Sequence, residues 1–191
     1  MCLVANSFTP VKGEVYLGNE ATEAKLKSLS ESGRLEQYRI LHFATHGALS
    51  GQVRGSVEPG LILTPPTTAT QVDDGYLSSS EISGFKLNAD WVVLSACNTA
   101  GGDASNSEAF SGLARAFFYA GARALLVSHW PVRSDAAVAI TTGAIDAMMS
   151  HPDIGRAEGL RRSLSALIAK GGDYAHPSAW APFVLVGNGS P

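Results

Sequence analysis

Tyr38-Arg39-Ile40-Leu41-His42-Phe43-Ala44-Thr45-His46-Gly47 and Trp91-Val92-Val93-Leu94-Ser95-Ala96-Cys97-Asn98-Thr99-Ala100-Gly101-Gly102 are the two stretches on which the reading of this chain turns. Each is an apolar run of strand length that ends in a polar, reactive residue followed by small ones, which is how a parallel sheet presents chemistry at its carboxyl edge. The apolar residues of the first run are nearly continuous, predicting a strand over 38–44 that is covered on both faces. A histidine and a cysteine at two such strand ends suggest a thiol nucleophile with its base.

Outward from these stretches, strands alternate with helices. A weak strand signal lies at Val11 to Leu17, inside an irregular start over residues 1–18. Asn19 is a plausible cap for a helix from about Ala21 to Ser30, with Ala21, Leu26 and Leu29 as its apolar positions and Gly33 releasing the chain. From Leu49 to Asp74 the sequence is rich in Gly, Pro, Thr and Ser around Leu61-Ile62-Leu63. This reads as an excursion with a short strand or hairpin, and Pro65-Pro66 forbids a helix there. Ser78-x-x-Glu81 matches a capping box opening a short helix that ends before Gly84.

A third helix is predicted over Ser107 to Ala120, with Phe110, Leu113, Ala114, Phe117 and Phe118 on one face and Gly121 at the stop. Ala124 to Ser128 reads as a buried strand. Ser134 caps a helix from Asp135 to Met149, Pro152 separates it from another over Gly155 to Ala169, and Trp180 to Val186 is a last strand. No repeat or linker divides the chain, so the expectation is one α/β domain spanning 1–191, a sheet with helices on both faces.

Composition narrows the functions. Charged residues are 16% of 191 and the net charge is −3, too little positive charge for a nucleic-acid or anionic-membrane surface. No apolar run reaches the length of a membrane span, and the first residues lack a secretory signal pattern. The two cysteines, Cys2 and Cys97, make no disulfide framework and fit a reducing compartment, so the expected location is cytoplasmic.

Cys97 sits just upstream of a loop that feeds a helix, where a thiolate is favoured. Its base must come from elsewhere, and His46 is the best candidate because Gly47 follows it and leaves an uncovered amide. Residue types alone leave Cys97 open between a nucleophile and a small buried hydrophobe. His42 and His46 form a His-x-x-x-His pair, but at a strand end and without the Glu of a metalloprotease helix, so no metal site is expected and His42 reads as a packed histidine with a local hydrogen bond. His129, His151 and His176 read as structural. A serine-hydrolase elbow and a Walker-type loop are both missing from the sequence, while Asp103 and Asp135 read first as loop or capping residues.

The ordered segments Ala21-Thr22-Glu23-Ala24, His42-Phe43-Ala44-Thr45-His46-Gly47, Leu94-Ser95-Ala96-Cys97-Asn98-Thr99, Ser111-Gly112-Leu113-Ala114-Arg115-Ala116-Phe117, Ser128-His129-Trp130-Pro131-Val132 and Trp180-Ala181-Pro182-Phe183-Val184-Leu185-Val186-Gly187 resemble the CHAT domain. That caspase-like module is commonly fused to tetratricopeptide repeats and is akin to caspases, separases and gingipains. The resemblance implies a three-layer α/β/α caspase-like fold with a mostly parallel central sheet, expected as a domain excised from a longer chain. It implies a cysteine endopeptidase acting on a protein substrate through a Cys97/His46 dyad, with the backbone amides of Gly47 and Cys97 as oxyanion donors and no metal or organic cofactor.

By the same resemblance Ser95, two before the cysteine, lines the primary specificity pocket, and Ser128, Trp130 and Asp135 flank the substrate. His129 departs from the leucine more usual there. The implied partner is a helical-repeat (TPR) region in the same or a partner chain. A non-catalytic or latent scaffold with the same fold is the alternative; a small-molecule α/β enzyme has only the fold to recommend it.

Overall fold

A computed structural model of the chain describes residues 13–70, 72–95 and 107–190, the last of these with side chains from residue 112 onward. Cys97, Asp103 and the side chain of Phe110 lie outside the described residues.

Four strands, β1 (Ile40–Phe43), β5 (Trp91–Leu94), β6 (Ala124–Ser128) and β7 (Phe183–Gly187), form the central sheet in the order β1-β5-β6-β7. The first three run parallel, with Ile40 opposite Trp91 and Val93 opposite Leu126. The last runs antiparallel to β6, with Ser128 opposite Phe183. Strand alternation divides the apolar residues between two cores. Val92, Leu94, Leu125 and Val127 face Leu29, Leu113, Ala116 and Phe117 from α1 (Glu23–Glu31) and α3 (Ser107–Ala120). Trp91, Val93, Ala124 and Leu126 face Ala136, Ile140, Leu160 and Leu167 from α4 (Ser134–Ser150) and α5 (Arg156–Ala169). The result is the expected three-layer α/β/α arrangement around a mostly parallel sheet.

The base of the sheet is tied by charge as well as by packing. Asp90, just before β5, is held by Arg39, just before β1, at 2.6 Å and by Arg123, just before β6, at 3.0 Å. Such exposed pairs contribute little energy individually, but they bridge the amino ends of three neighbouring strands.

The excursion after β1 is built rather than loose. It forms a second, antiparallel sheet of β2 (His46–Ala48), β3 (Gly60–Ile62) and β4 (Tyr76–Ser78), whose Leu61 and Leu77 are fully buried in the first core. The short helix α2 (Ser79–Ser83) follows with both halves of the expected capping box formed by Ser78 and Glu81. Glu23 fastens this sheet to α1. Its carboxylate, 1% exposed, accepts the backbone N–H groups of Asp74 at 2.9 Å and Gly75 at 3.0 Å, and Lys27 pairs with it one helical turn on. The Lys27 ammonium also donates to the Val72 carbonyl at 2.6 Å and to Glu81 at 2.7 Å. Gly75 is at φ +82° and a Cβ there would lie 2.7 Å from Pro65, so only glycine lets the chain present both amides to Glu23.

Several expectations are corrected. Thr22, not Asn19, caps α1, because its hydroxyl accepts the Lys25 N–H at 3.2 Å. Residues 13–17 form no strand. The run over 38–44 is cut at Phe43, because His46 pairs with Ile62 of the second sheet instead of continuing along β5. Ser134 lies inside α4 and makes no capping bond with its side chain; Arg133 holds the cap position. Trp180 ends a separate short helix, α6 (Pro177–Trp180), so the last strand begins only at Phe183.

Removing the Glu23 carboxylate strands one buried and one part-buried amide and part of an ion network at once. Glu23→Ala is therefore expected to destabilise the fold by about 3 kcal/mol in denaturant unfolding, and Glu23→Gln, which keeps an acceptor, by less. A loss below about 1 kcal/mol for the alanine variant would show that the clamp is dispensable.

Candidate functional site

Because β1, β5 and β6 are parallel neighbours, their carboxyl ends open on one edge of the sheet. The pairing of β1 with β5 runs one residue past the strands, where the Ser95 N–H donates to the Phe43 carbonyl at 3.0 Å. From there the two chains diverge. Ala44 and Thr45 carry the first into β2, where His46 opens the strand with its side chain exposed and Gly47, half-buried, pairs with Leu61. The Thr45 hydroxyl donates to the Ile62 carbonyl. His46 is thus held by the antiparallel sheet, and its position depends on the excursion that Glu23 clamps. The second chain leads from Ser95 toward Cys97, which lies outside the described residues.

His42 occupies the face below this edge. Ile40 packs into the α4/α5 core, so His42, two residues on, points to the same face, as does Ser95 in the row of Trp91 and Val93. The imidazole Nε2 and the Ser95 hydroxyl are hydrogen-bonded. The Nδ1 is buried and has no partner among the described residues. Burial pushes the imidazole pKa down to about 4, so it is neutral at physiological pH. His42 is the packed histidine expected from sequence, but its hydrogen bond is not local: the partner, Ser95, lies 53 residues along the chain. What the sequence did not disclose is that its bond goes to Ser95, because that contact follows from the register between two strands far apart in the chain.

The other predicted residues divide. Ser128 ends β6 beside the β5 edge and is buried, at 2% exposure, so its side chain belongs to the floor of this edge and not to its open surface. Trp130 lies beyond β6 and is 41% exposed. Asp135, in the first turn of α4, is already engaged: it accepts two bonds from Arg133, one from the Tyr174 hydroxyl at 2.9 Å and one from the Ala136 N–H. The bonds from Arg133 and Tyr174 hold its carboxyl down at about 2, and Arg133 also pairs with Asp173 at 2.9 Å. Its charge is consumed locally. Among the described residues no three His, Cys, Asp or Glu side chains are grouped to hold a metal ion, and no helix is long and apolar enough to cross a membrane.

The CHAT-domain family profile matches residues 3–188. The chain belongs to the CHAT-domain family. This places it among caspase-like, peptidase-related modules. The chain is also 27% identical to mouse tetratricopeptide repeat protein 28 over 203 aligned positions, covering 90% of the chain and 8% of the relative. It therefore spans a small fraction of that protein's length. In this CHAT domain the segment carrying His46 and the segment leading to Cys97 leave two adjacent parallel strands at the same edge.

The buried imidazole has a consequence for acid stability. Its pKa falls from 6.5 to about 4 on folding, so between those values the unfolded chain takes up a proton that the native chain does not. Stability contributed by neutral His42 is complete above pH 6.5 and is lost as pH falls toward 4, to the extent of about 3 kcal/mol. Denaturant unfolding of wild type and His42→Gln across this window is expected to show a steeper acid decline for wild type. Parallel curves would contradict it.

Proposed function

We propose that this CHAT domain is a cysteine endopeptidase that cleaves a protein substrate through Cys97 and His46. The observation that carries the reading is the β1–β5 pairing, which sends the two segments off one sheet edge. In the proposed reaction His46 accepts the Cys97 thiol proton as sulfur attacks the scissile carbonyl carbon, and the backbone N–H groups of Gly47 and Cys97 bind the resulting oxyanion. His46 then returns the proton to the leaving amine as the C–N bond breaks. Water, deprotonated by the same imidazole, hydrolyses the thioester and restores the thiol. None of these steps calls on a metal or organic cofactor.

Ser95 and Trp130 are the proposed substrate contacts, since both retain exposure near the strand ends. Ser128 acts from below as a buried support, and Asp135 acts through the Arg133 and Tyr174 network instead of presenting a free charge. Residues 1–191 are proposed to act as a single module of a longer polypeptide with tetratricopeptide repeats in the same or a partner chain, a reading supported by the name and length of the mouse relative. A reducing, cytoplasmic setting suits a catalytic thiol. The alternative reading is a non-catalytic or latent scaffold of the same fold that binds protein partners.

Incubation of the chain, with its natural flanking repeats, with candidate partner proteins separates the two. Cleavage by wild type is expected to fall at least about a thousandfold in both Cys97→Ala and His46→Ala. Cleavage unchanged by either substitution would exclude the dyad; stable partner binding by wild type without any cleavage would favour the scaffold.

A further inference from the structure

The α4/α5 hairpin carries an inference about the partner surface, resting on the proposed association with tetratricopeptide repeats. α4 is apolar on its outer side as well as its inner one. Ala136, Ile140, Ala144 and Ile145 are buried in the second core, yet the half-buried Ala139, Gly143 and Ala147 opposite them are uncharged too, and Asp146 is the only charge between Asp135 and Ser150. A helix that is apolar all round is ordinarily covered all round. α4 and α5 run antiparallel in close contact: a Cβ on Gly159 would lie 2.8 Å from Met148, and one on Gly143 would lie 2.6 Å from the Ser163 hydroxyl. Outside that contact an open groove of about 500 Å³ runs along the pair, lined by Ala139, Gly143 and Ala147 of α4 and Ala166 of α5.

The two rims of the groove differ in charge. Asp146 stands on the α4 side, Arg162 and Lys170 on the α5 side. Glu158 is a single carboxylate paired with both Arg161 and Arg162, and Lys170 lies over the Tyr174 ring at 5.5 Å with no ion-pair partner among the described residues. The α5 rim therefore keeps a net positive charge and complements carboxylates. A groove between antiparallel helices takes a third helix, because a helix satisfies its own backbone and lays its side-chain ridges between those of the pair. Helical-repeat arrays grow in the same way, each unit being a helix hairpin whose open face is buried by the next helix in line. α4 and α5, of 17 and 14 residues, form such a hairpin, and the relative named tetratricopeptide repeat protein 28 extends far beyond the 8% of its length that is matched. We propose that the α4/α5 groove is the docking surface for a helix of a tetratricopeptide repeat, seated with acidic side chains toward Arg162 and Lys170.

The test is zero-length carbodiimide cross-linking of the full-length protein with its natural flanking repeats, which joins the Lys170 amine to a carboxylate only where the two touch. Peptide mapping is expected to find Lys170 joined to an Asp or Glu on a repeat helix. Ala147→Trp, which fills the groove from an outward position, is expected to lower the yield of that link about tenfold, the scale of one obstructed interface contact. In Lys170→Glu the link is lost, and it returns when the partner's linked carboxylate is replaced by lysine, an outcome that a misfolded domain would not give. Links from Lys170 confined to this domain or to a second copy of it, or a yield unchanged in Ala147→Trp, would overturn the assignment. Repeats that cross-link only elsewhere on the domain would leave the repeat association standing and remove this surface; a full-length protein with no helical repeats, in itself or in a bound partner, would remove both.

Discussion

The parallel pairing of β1 with β5 is the constraint on which the rest depends. Ile40 and Trp91 face one another across a long excursion, and closing so long a loop costs entropy before any contact returns it. The return comes from β5, whose four residues are all buried, and from two cores that this strand joins back to back. Once the pairing is set, parallel direction dictates that His42, Ser95 and the segments beyond them share one edge. An antiparallel partner would have sent them to opposite ends.

The second constraint is the anchoring of the excursion. His46 does not sit on the central sheet; it sits on β2, which is held by β3, which is held by β4, whose entry turn is gripped by Glu23. A buried carboxylate is costly unless its oxygens are satisfied, and here two backbone amides and Lys27 satisfy them. The geometry around the candidate base therefore depends on an acidic residue in the first α-helix, distant in sequence and outside the site.

The edge itself is polar but nearly uncharged below its surface. Burial keeps His42 neutral, Ser95 and Ser128 supply hydroxyls among the described residues, and at the start of α4 Arg133 is paired with Asp135 and Asp173.

Much of the fold was legible because it is written locally. The capping box at Ser78 and Glu81, the stop at Gly121, the apolar face of α3 and the buried strand at Ala124–Ser128 each follow from short-range periodicity and capping chemistry, as does the family assignment from its ordered segments. The errors were those that local pattern cannot resolve: the apolar run through Ala44 gives no sign that pairing changes sheets at His46, and the cap expected at Asn19 falls instead on Thr22, because α1 begins only at Glu23. By itself the sequence determined the alternation of strands and helices, the residue types at two strand ends and the family. Only the tertiary structure decided that His42 bonds to Ser95, that Glu23 holds the sheet bearing His46 and that Asp135 is spent on Arg133 and Tyr174, because each is a contact between segments whose register is fixed by packing at a distance and not by neighbours along the chain.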